Sequence, residues 1–372
     1  MTTQMLERDT VSFPKLGLEF TVSDTAFTVF GLEIKWYGLL ITIGLLLAMI
    51  YGFSQMKKYG IDSERAIDAV IAGVIGAIIG ARAYYVIMEW DTYGGNWKEI
   101  FNLRNGGLAI YGGIIGALLC GGIVAKLRKV RILPLIDIVA IGLLLGQGIG
   151  RWGNFTNHEA FGYNTDNIFG MTSGKIQDWI INHVQLGENA DIVAMKWEEP
   201  VHPCFLYESV WCLLGFALFA LFAKKIRRFD GQIFLMYLVW YGSARFFIEG
   251  WRTDSLMIGE LRVSQVLSAV LVIGALITLI VIGSKVRRMG DEYVLYVDSE
   301  ESKELLRQAE RRAARGKNSE KNILAEGDED SSDREITEPE ELSEESEEKE
   351  NTEENNNQSD NNDETENETE EI

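Results

Sequence analysis

Between Trp36 and Gly283 the chain passes through seven apolar stretches, and each is close to the ~20 residues an α-helix needs to cross about 30 Å of hydrocarbon. They lie near Trp36–Met56, Ala66–Met88, Gly107–Ala125, Leu133–Gly150, Cys204–Ala223, Gln232–Gly250 and Val263–Gly283. A water-soluble domain built from these stretches would expose far too much apolar surface. The expected fold is therefore an all-α integral membrane protein, a bundle of seven transmembrane helices.

Basic residues orient the bundle. Lys57 and Lys58 follow the first stretch, and Lys126, Arg128, Lys129 and Arg131 separate the third from the fourth. Lys224, Lys225, Arg227 and Arg228 separate the fifth from the sixth, and Lys285, Arg287 and Arg288 follow the seventh. Every second loop is basic, which by the positive-inside bias puts those loops in the cytoplasm, the N-terminus outside and the C-terminus inside. Met1–Phe30 lacks a basic start followed by an apolar run, so the first span is expected to act as the targeting signal itself.

The formal charge of −20 belongs to the chain's end. Residues 1–290 carry 24 acids and 26 bases, whereas residues 291–372 carry 31 acids and 9 bases. We expect a membrane domain at 1–290, with 163–201 as an extracytoplasmic cap segment, and an acidic cytoplasmic tail at 291–372. Val297–Ala314 interleaves acids with Arg307, Arg311 and Arg312 and reads as a short surface helix, while the composition from Asn318 onward is that of a disordered chain. Truncation after Arg288 is expected to leave activity intact. Three Cys (Cys120, Cys204, Cys212) and three His give neither a disulfide framework nor a Cys/His metal spacing. No cofactor and no nucleic-acid partner are expected.

Ionisable residues in or at the mouth of a span cost about 2.5–3.5 kcal/mol each on insertion scales, which makes them functional candidates. Here they are Arg82, Arg151, Glu208, Arg245, Glu249, Asp68 and Asp137. The two aspartates sit just inside helix starts, where an acid complements the helix dipole, and read as structural. The arginines and Glu249 fall toward the outer helix ends, as a site for an anion would require. Tyr241, Arg245, Glu249 and Arg252 form one stripe at helical spacing. That stripe is either an Arg245–Glu249 pair neutralising itself for insertion, or a carboxylate holding one guanidinium while others bind phosphate.

Three more segments face the same side: Gly106–Gly113, with Tyr111; Gly150–Gly162, with Arg151, Asn154, His158 and Glu159; and His202–Glu208. The doubled glycines Gly106-Gly107 and Gly112-Gly113 suggest close approach of backbone to another group. Gly76/Gly80, Gly112/Gly116 and Gly142/Gly146/Gly150 have the small-residue spacing of close helix packing.

The run G-R-W-G-N-F-x-N-x-E-x-x-G at Gly150–Gly162 strongly resembles the signature of bacterial prolipoprotein diacylglyceryl transferases. Trp36-Tyr37-Gly38, Gly80-Ala81-Arg82 with Tyr85, the glycine pairs around Tyr111, His202-Pro203 with Leu206-Tyr207-Glu208, and Tyr241 through Arg252 agree with it in order. The resemblance covers roughly residues 30–285. It implies an enzyme without a cofactor that moves the diacylglyceryl group of phosphatidylglycerol to the lipobox cysteine at the signal peptide of a prolipoprotein. It implies catalytic roles for Arg151, Arg245, Tyr111 and Glu249. Substrate-binding roles fall to Arg151, Tyr37, Asn154, Glu159, Gly162, His202, Tyr241, Arg252 and Arg82. Arg151 corresponds to a phosphatidylglycerol-binding residue of the family.

One departure concerns the base. Many relatives have His where this chain has Tyr111, and a tyrosine, with a reference pKa near 10, is a poor base at neutral pH. Either Tyr111 is perturbed, or it only orients substrate, or the arginine field activates the thiol without it. His202 is an available base and equally a structural residue at a helix mouth. Nothing in the sequence pairs Cys204 with a base, which argues against a covalent enzyme intermediate. The alternative class is a transporter or channel for an anionic solute, which also uses intramembrane arginine, although seven spans do not divide into equal repeats.

Overall fold

Apolar runs with no interior proline become long helices, and here the helices define the molecule. In the computed structural model, which describes residues 5–94, 97–102, 106–187, 190–259 and 261–315, they are α1 (Trp36–Gln55), α2 (Ser63–Met88), α3 (Ile110–Leu127), α4 (Ile132–Asn157), α5 (Gly174–Leu186), α6 (Cys204–Ile226), α7 (Gln232–Glu249) and α8 (Val263–Met289). Pro134 lies in the first turn of α4, where its missing N–H costs no helical bond. Asp62 caps α2 by accepting from the Glu64 N–H at 3.1 Å.

Six of the helices are long and apolar enough to cross a membrane. Helix α7 is not among them, because Gln232, Arg245 and Glu249 dilute its apolar content. The rows of fully or half-exposed aliphatics on α2, α3 and α8, such as Ile79, Leu118 and Ile280, suit hydrocarbon rather than water.

The predicted glycine spacings are where backbones meet. Helices α2 and α3 interlock through Gly76, Gly80, Gly112 and Gly116, and a Cβ on Gly76 would stand 2.5 Å from the Gly116 carbonyl oxygen. Gly142 and Gly146 lie against Ala48 and Gly44, joining α4 to α1. Helix α7 joins the bundle through Asp137 of α4. That fully buried carboxylate accepts from the N–H groups of Gly231 and Phe234, both at 2.9 Å, capping α7 rather than its own helix. Asp68 pairs with Arg128 at 2.6 Å. Both aspartates are structural, as read from sequence, through partners the sequence did not reveal.

The all-α expectation describes the bundle but missed a β component in the cap. Strand β1 (Thr10–Phe13) lies between β2 (Leu18–Thr21) and β5 (Thr172–Ser173), with Val11 opposite Ser173. Strands β3 (Thr25–Val29) and β4 (Leu32–Lys35) form a hairpin whose two-residue loop, Phe30-Gly31, has positive φ at both positions. A further small pair, β6 (Met257–Ile258) and β7 (Leu261–Arg262), precedes α8. The cap thus recruits the N-terminal strands as well as residues 163–201, around a core of Val11, Phe161, Met171, Ile176, Val201 and Phe205. Its two-residue strand and N-terminal partners lie more than 150 positions apart in sequence, a separation that local periodicity does not encode.

At the opposite, basic end, the residues after α8 are docked rather than free. Tyr296 is buried in a cluster with Met56, Tyr59, Ile61, Val130 and Leu135. Its N–H donates to Asp230 at 3.0 Å, and Ser302, fully buried, donates to the Gly60 carbonyl at 2.9 Å. Glu301 pairs with Arg131 at 2.5 Å, and Arg312, on a helical run over 300–315, pairs with Asp62. The compact unit therefore reaches Arg315, and the boundary expected at residue 290 cuts through packed structure. The stretch expected to be disordered, from Asn318 onward, lies outside the described residues. A chain ending at Arg315 should melt with the full-length protein in a detergent thermal-unfolding assay, whereas one ending at Arg288 should melt several degrees lower. Equal melting of the two truncations would mean that this docking contributes nothing.

Candidate functional site

The site is assembled where α4 ends, α6 begins and α7 ends. Sequence reading stopped the fourth span at Gly150, but α4 continues to Asn157. Gly153 does not break the helix; its bare Cα admits Tyr37, since a Cβ there would lie 2.7 Å from the Tyr37 ring. Helix α6 is pinned to α4 one turn away. Ser209 Oγ donates to the Gly148 carbonyl at 2.8 Å and the Trp152 indole N–H donates to Ser209 Oγ at 3.1 Å. Helix α7 is pinned to α6 by two stacked tryptophans, Trp211 and Trp240, each donating its indole N–H to the other's backbone carbonyl at 3.0 and 3.1 Å. These locks bring Arg151, Glu208 and Arg245 to one point.

Glu208 is the centre. Only 2% exposed, it meets Arg245 through Oε1 at 2.6 Å and Arg151 through Oε2 at 2.5 Å, with Arg252 at 3.7 Å. Arg245 also meets Glu249, at 2.5 Å, and Arg252 pairs with Asp254 at the rim, at 2.7 Å. Oε2 of Glu208 and Oε2 of Glu249 lie beside guanidinium nitrogens without an aligned N–H, so charge attraction rather than directed hydrogen bonding holds those contacts. Arg151 makes only long directed bonds, to Asn154 Oδ1 at 3.5 Å and the Tyr241 hydroxyl at 3.4 Å. Its fork of donors is therefore the least committed of the three.

Asn154 donates to Glu159 Oε1 at 2.9 Å and Asn157 donates to the same oxygen at 3.2 Å, which ties the motif's polar residues to Arg151. Arg252, placed on the helical stripe by spacing, lies beyond the end of α7. It reaches the cluster because it bridges Gly162, where a Cβ would stand 2.6 Å from the Trp251 carbonyl oxygen and 2.8 Å from His202. His202 stacks on Trp251 with ring centres 5.3 Å apart, and its Nδ1 lies 3.2 Å from the Tyr207 hydroxyl. Burial lowers the His202 pKa below the usual imidazole value. Its contacts are those of a structural residue at a helix mouth.

Two predicted residues stand apart. Arg82, though buried, donates to four backbone carbonyls, those of Glu99, Ile100, Gly106 and Gly107, at 2.6–2.9 Å, and lies over the rings of Tyr85 and Tyr93. It organises the segment before α3: Gly107 makes the close approach that the doubled glycines suggested, since a Cβ there would lie 2.5 Å from the Arg82 guanidinium, whereas Gly106 has open space and shares only the positive φ. Tyr111, in the first turn of α3, is 37% exposed and makes no hydrogen bond among the described residues. Cys204 is buried against Gly162. Glu208 was visible in the sequence as an ionisable residue of a span but was not chosen as a site residue. The signal for it was the count of three arginines against Glu249 alone.

Removing Glu208 would leave three partly buried guanidinium groups, with side chains 12–20% exposed, facing one another, and breaking a fully buried pair costs about 3–5 kcal/mol as an upper bound. Glu208→Ala should therefore lower the melting temperature sharply, while Asp254→Ala, at the half-exposed rim, should barely move it. Similar melting of both variants would show that Glu208 is not the hub.

Apolar helices of membrane-crossing length around a partly buried cluster of arginines mark a membrane protein with guanidinium charge concentrated at one end of its bundle. The sequence model of the prolipoprotein diacylglyceryl transferase family matches residues 24–281. A phosphatidylglycerol–prolipoprotein diacylglyceryl transferase of Finegoldia magna is 42% identical over 252 residues, covering 68% of this chain and 92% of the relative. Its counterparts in Clostridium novyi and Clostridioides difficile are 42% and 39% identical, each covering 70% of this chain and 95% of the relative. The chain belongs to the prolipoprotein diacylglyceryl transferase family.

Proposed function

We propose that this chain is an enzyme that transfers the diacylglyceryl group of phosphatidylglycerol to the lipobox cysteine thiol of a prolipoprotein; the names of its relatives give them the phosphatidylglycerol donor, the prolipoprotein acceptor and the diacylglyceryl transfer. The cysteine sulfur attacks the glyceryl carbon that carries the phosphate ester. The C–O bond breaks, a thioether forms, glycerol phosphate leaves with the bonding electron pair, and the thiol proton is released. All the matched relatives named above are transferases, which leaves the anion-transporter alternative without support.

The observation that carries this reading is the set of uncommitted N–H donors on Arg151 beside Glu208 and Arg245. Three guanidinium groups face the buried carboxylates Glu208 and Glu249 and the rim carboxylate Asp254, so the fixed charges balance and a phosphodiester is met by the donors Arg151 keeps available rather than by a surplus charge. As the C–O bond breaks, the phosphate gains a second charge. Fixed cations in a water-poor site then stabilise the transition state more than the ground state. Arg151 and Arg245 are the residues that meet the leaving phosphate in this mechanism. Glu249 holds Arg245, and Arg252, Tyr241, Asn154 and Glu159 hold the rest of the cradle. Tyr37 packs at its edge, and Gly162 with His202 closes its wall. Arg82 contributes by fixing the segment that leads to Tyr111.

A thiol reacts as thiolate, and a positive field lowers its pKa. With Tyr111 unpartnered and the arginines concentrated at Glu208, the field supplies that activation and Tyr111 orients substrate. The seven stretches all span the bacterial plasma membrane in this reading, α7 included, with the N-terminus and cap outside and the basic end inside. The site then lies toward the outer face, where an exported acceptor arrives.

The purified protein, supplied with phosphatidylglycerol and a lipobox peptide, should yield diacylglyceryl-peptide by mass spectrometry. Solute flux into liposomes with no such product would sink the reading. Arg151→Ala should reduce the rate by at least about 100-fold, the scale of a lost charge-stabilising donor, in protein that still inserts. Tyr111→Phe should turn over at nearly the native rate, and loss of activity there would return the base role to that hydroxyl.

A further inference from the structure

Beside the arginine cluster, on the cap, lies a cavity of about 300 Å³ that the phosphate chemistry does not use. One wall is the turn after α4, from Asn157 to Phe161; another is the first turns of α5, and the N-terminal strand region closes it through Arg8. The turn is held in an unusual conformation. His158 and Ala160 both have φ +58, the left-handed region that non-glycine residues rarely enter. The surroundings fix it: His158 N–H donates to Phe155 O at 3.1 Å, Glu159 N–H to Asn154 O at 3.0 Å and Gly162 N–H to His202 O at 2.9 Å. Strain of this kind concentrates where a surface must be shaped for a ligand.

The lining disfavours both parts of the lipid donor, its phosphate and its acyl chains. Its charges are mixed and lean acidic: Glu159, Asp178 and Asp254 against Arg8 and Lys175, with Lys175 already paired to Asp9 at 2.9 Å. A second phosphate is therefore disfavoured. The cavity sits in the polar cap rather than on an apolar helix face, which disfavours an acyl chain. What remains is a surface with carboxylate acceptors from Glu159 and Asp178, donors from Arg8 and the second amide hydrogen of Asn157, and the Trp179 ring as a flat apolar wall, the Thr253 hydroxyl being already given to the Phe161 carbonyl. An extended peptide presents alternating N–H and C=O groups and matches that surface. His158 fixes this wall: it is 5% exposed and its Nε2 lies 3.2 Å from the Val22 carbonyl, which ties the turn to the N-terminal strands. Burial lowers its pKa below the usual imidazole value.

Two residues belong to both places. Glu159 lines the cavity and is bonded to Asn154, next to Arg151. Asp254 lines the cavity and pairs with Arg252 of the cluster. A chain with its thiol at the arginines reaches the cavity within the next few residues, at about 3.3–3.6 Å of extended chain per residue.

We infer that this cavity binds the acceptor peptide just beyond the reacting cysteine, as a subsite for the first few residues of the segment that becomes the mature protein. This rests on the transferase reading, and the experiment separates the two. Full-length enzyme in phosphatidylglycerol-containing vesicles is given two acceptors with the same signal segment, one ending at the cysteine amide and one extending six residues further. Trp179→Ala and Asp178→Arg should each raise KM for the long acceptor, Trp179→Ala by about tenfold. KM for the short acceptor and kcat for both should stay unchanged. A long acceptor carrying a benzophenone three residues past the cysteine should crosslink within 157–161 or 174–179. Equal KM shifts for both acceptors, no shift in either variant, or crosslinks only outside those segments would overturn the subsite. Wild-type enzyme that crosslinks the long acceptor there but transfers nothing to either peptide would instead overturn the transferase reading.

Discussion

A single buried carboxylate, Glu208, makes the rest of the site physically admissible. Three arginines converging in a water-poor region repel one another, and without an opposite charge among them the helices carrying them could not close together. Glu208 touches two guanidinium groups directly and lies within 3.7 Å of the third, while Glu249 holds Arg245 from behind. With Asp254 on Arg252 at the rim, this arrangement balances the three cations. It does so without consuming all the donors, because the short contacts to Oε2 of both carboxylates lack aligned N–H bonds. An attraction that neutralises charge while leaving donor geometry unsatisfied suits a site that must release and rebind a phosphate.

The packing around Glu208 serves that requirement. The Ser209–Gly148 bond fixes α6 against α4 one residue from the hub, and the reciprocal tryptophan bonds fix α7 against α6 one turn further along. Lateral interhelical hydrogen bonds of this kind hold helices in register where lipid provides no hydrophobic drive between them. Where no directed bond is available, small residues do the same work: Gly153 admits Tyr37, Gly162 admits His202, and the four glycines of α2 and α3 bring two backbones into contact. The glycines matter for what they let approach.

The bundle was legible in the sequence because its signals are local. Apolar length gave the helices to within a few residues at most ends, and glycine spacing marked faces suited to close packing, which the structure pairs as α2 with α3 and α1 with α4. The Gly150–Gly162 motif pointed to the right end of the molecule. What escaped was non-local. β1 pairs with β5, Asp137 caps a helix nearly a hundred residues away, and Tyr296 and Ser302 dock on the Met56–Asp62 turn, and in each case a short polar or aromatic residue has a partner that no periodicity encodes. The end of α4 was misjudged because a glycine beside polar residues resembles a helix stop, when here it is a contact point. The docked segment after α8 was assigned to the acidic tail because its charge matches the tail, although its buried residues match the bundle.

Arg82 and Arg151 illustrate what composition alone cannot separate. Both are arginines of membrane-length helices, both are expensive to insert, and both lie in glycine-framed segments. Arg82 directs four bonds at backbone carbonyls, and a guanidinium so engaged has little left with which to recognise a phosphate. Arg151 directs two long bonds at side chains and is otherwise held by charge. The insertion cost is comparable, but in one case it stabilises a loop and in the other it holds an unsatisfied donor array in place. The free donors, rather than the charge, distinguish an arginine poised for a substrate, and only the geometry of partners reveals them.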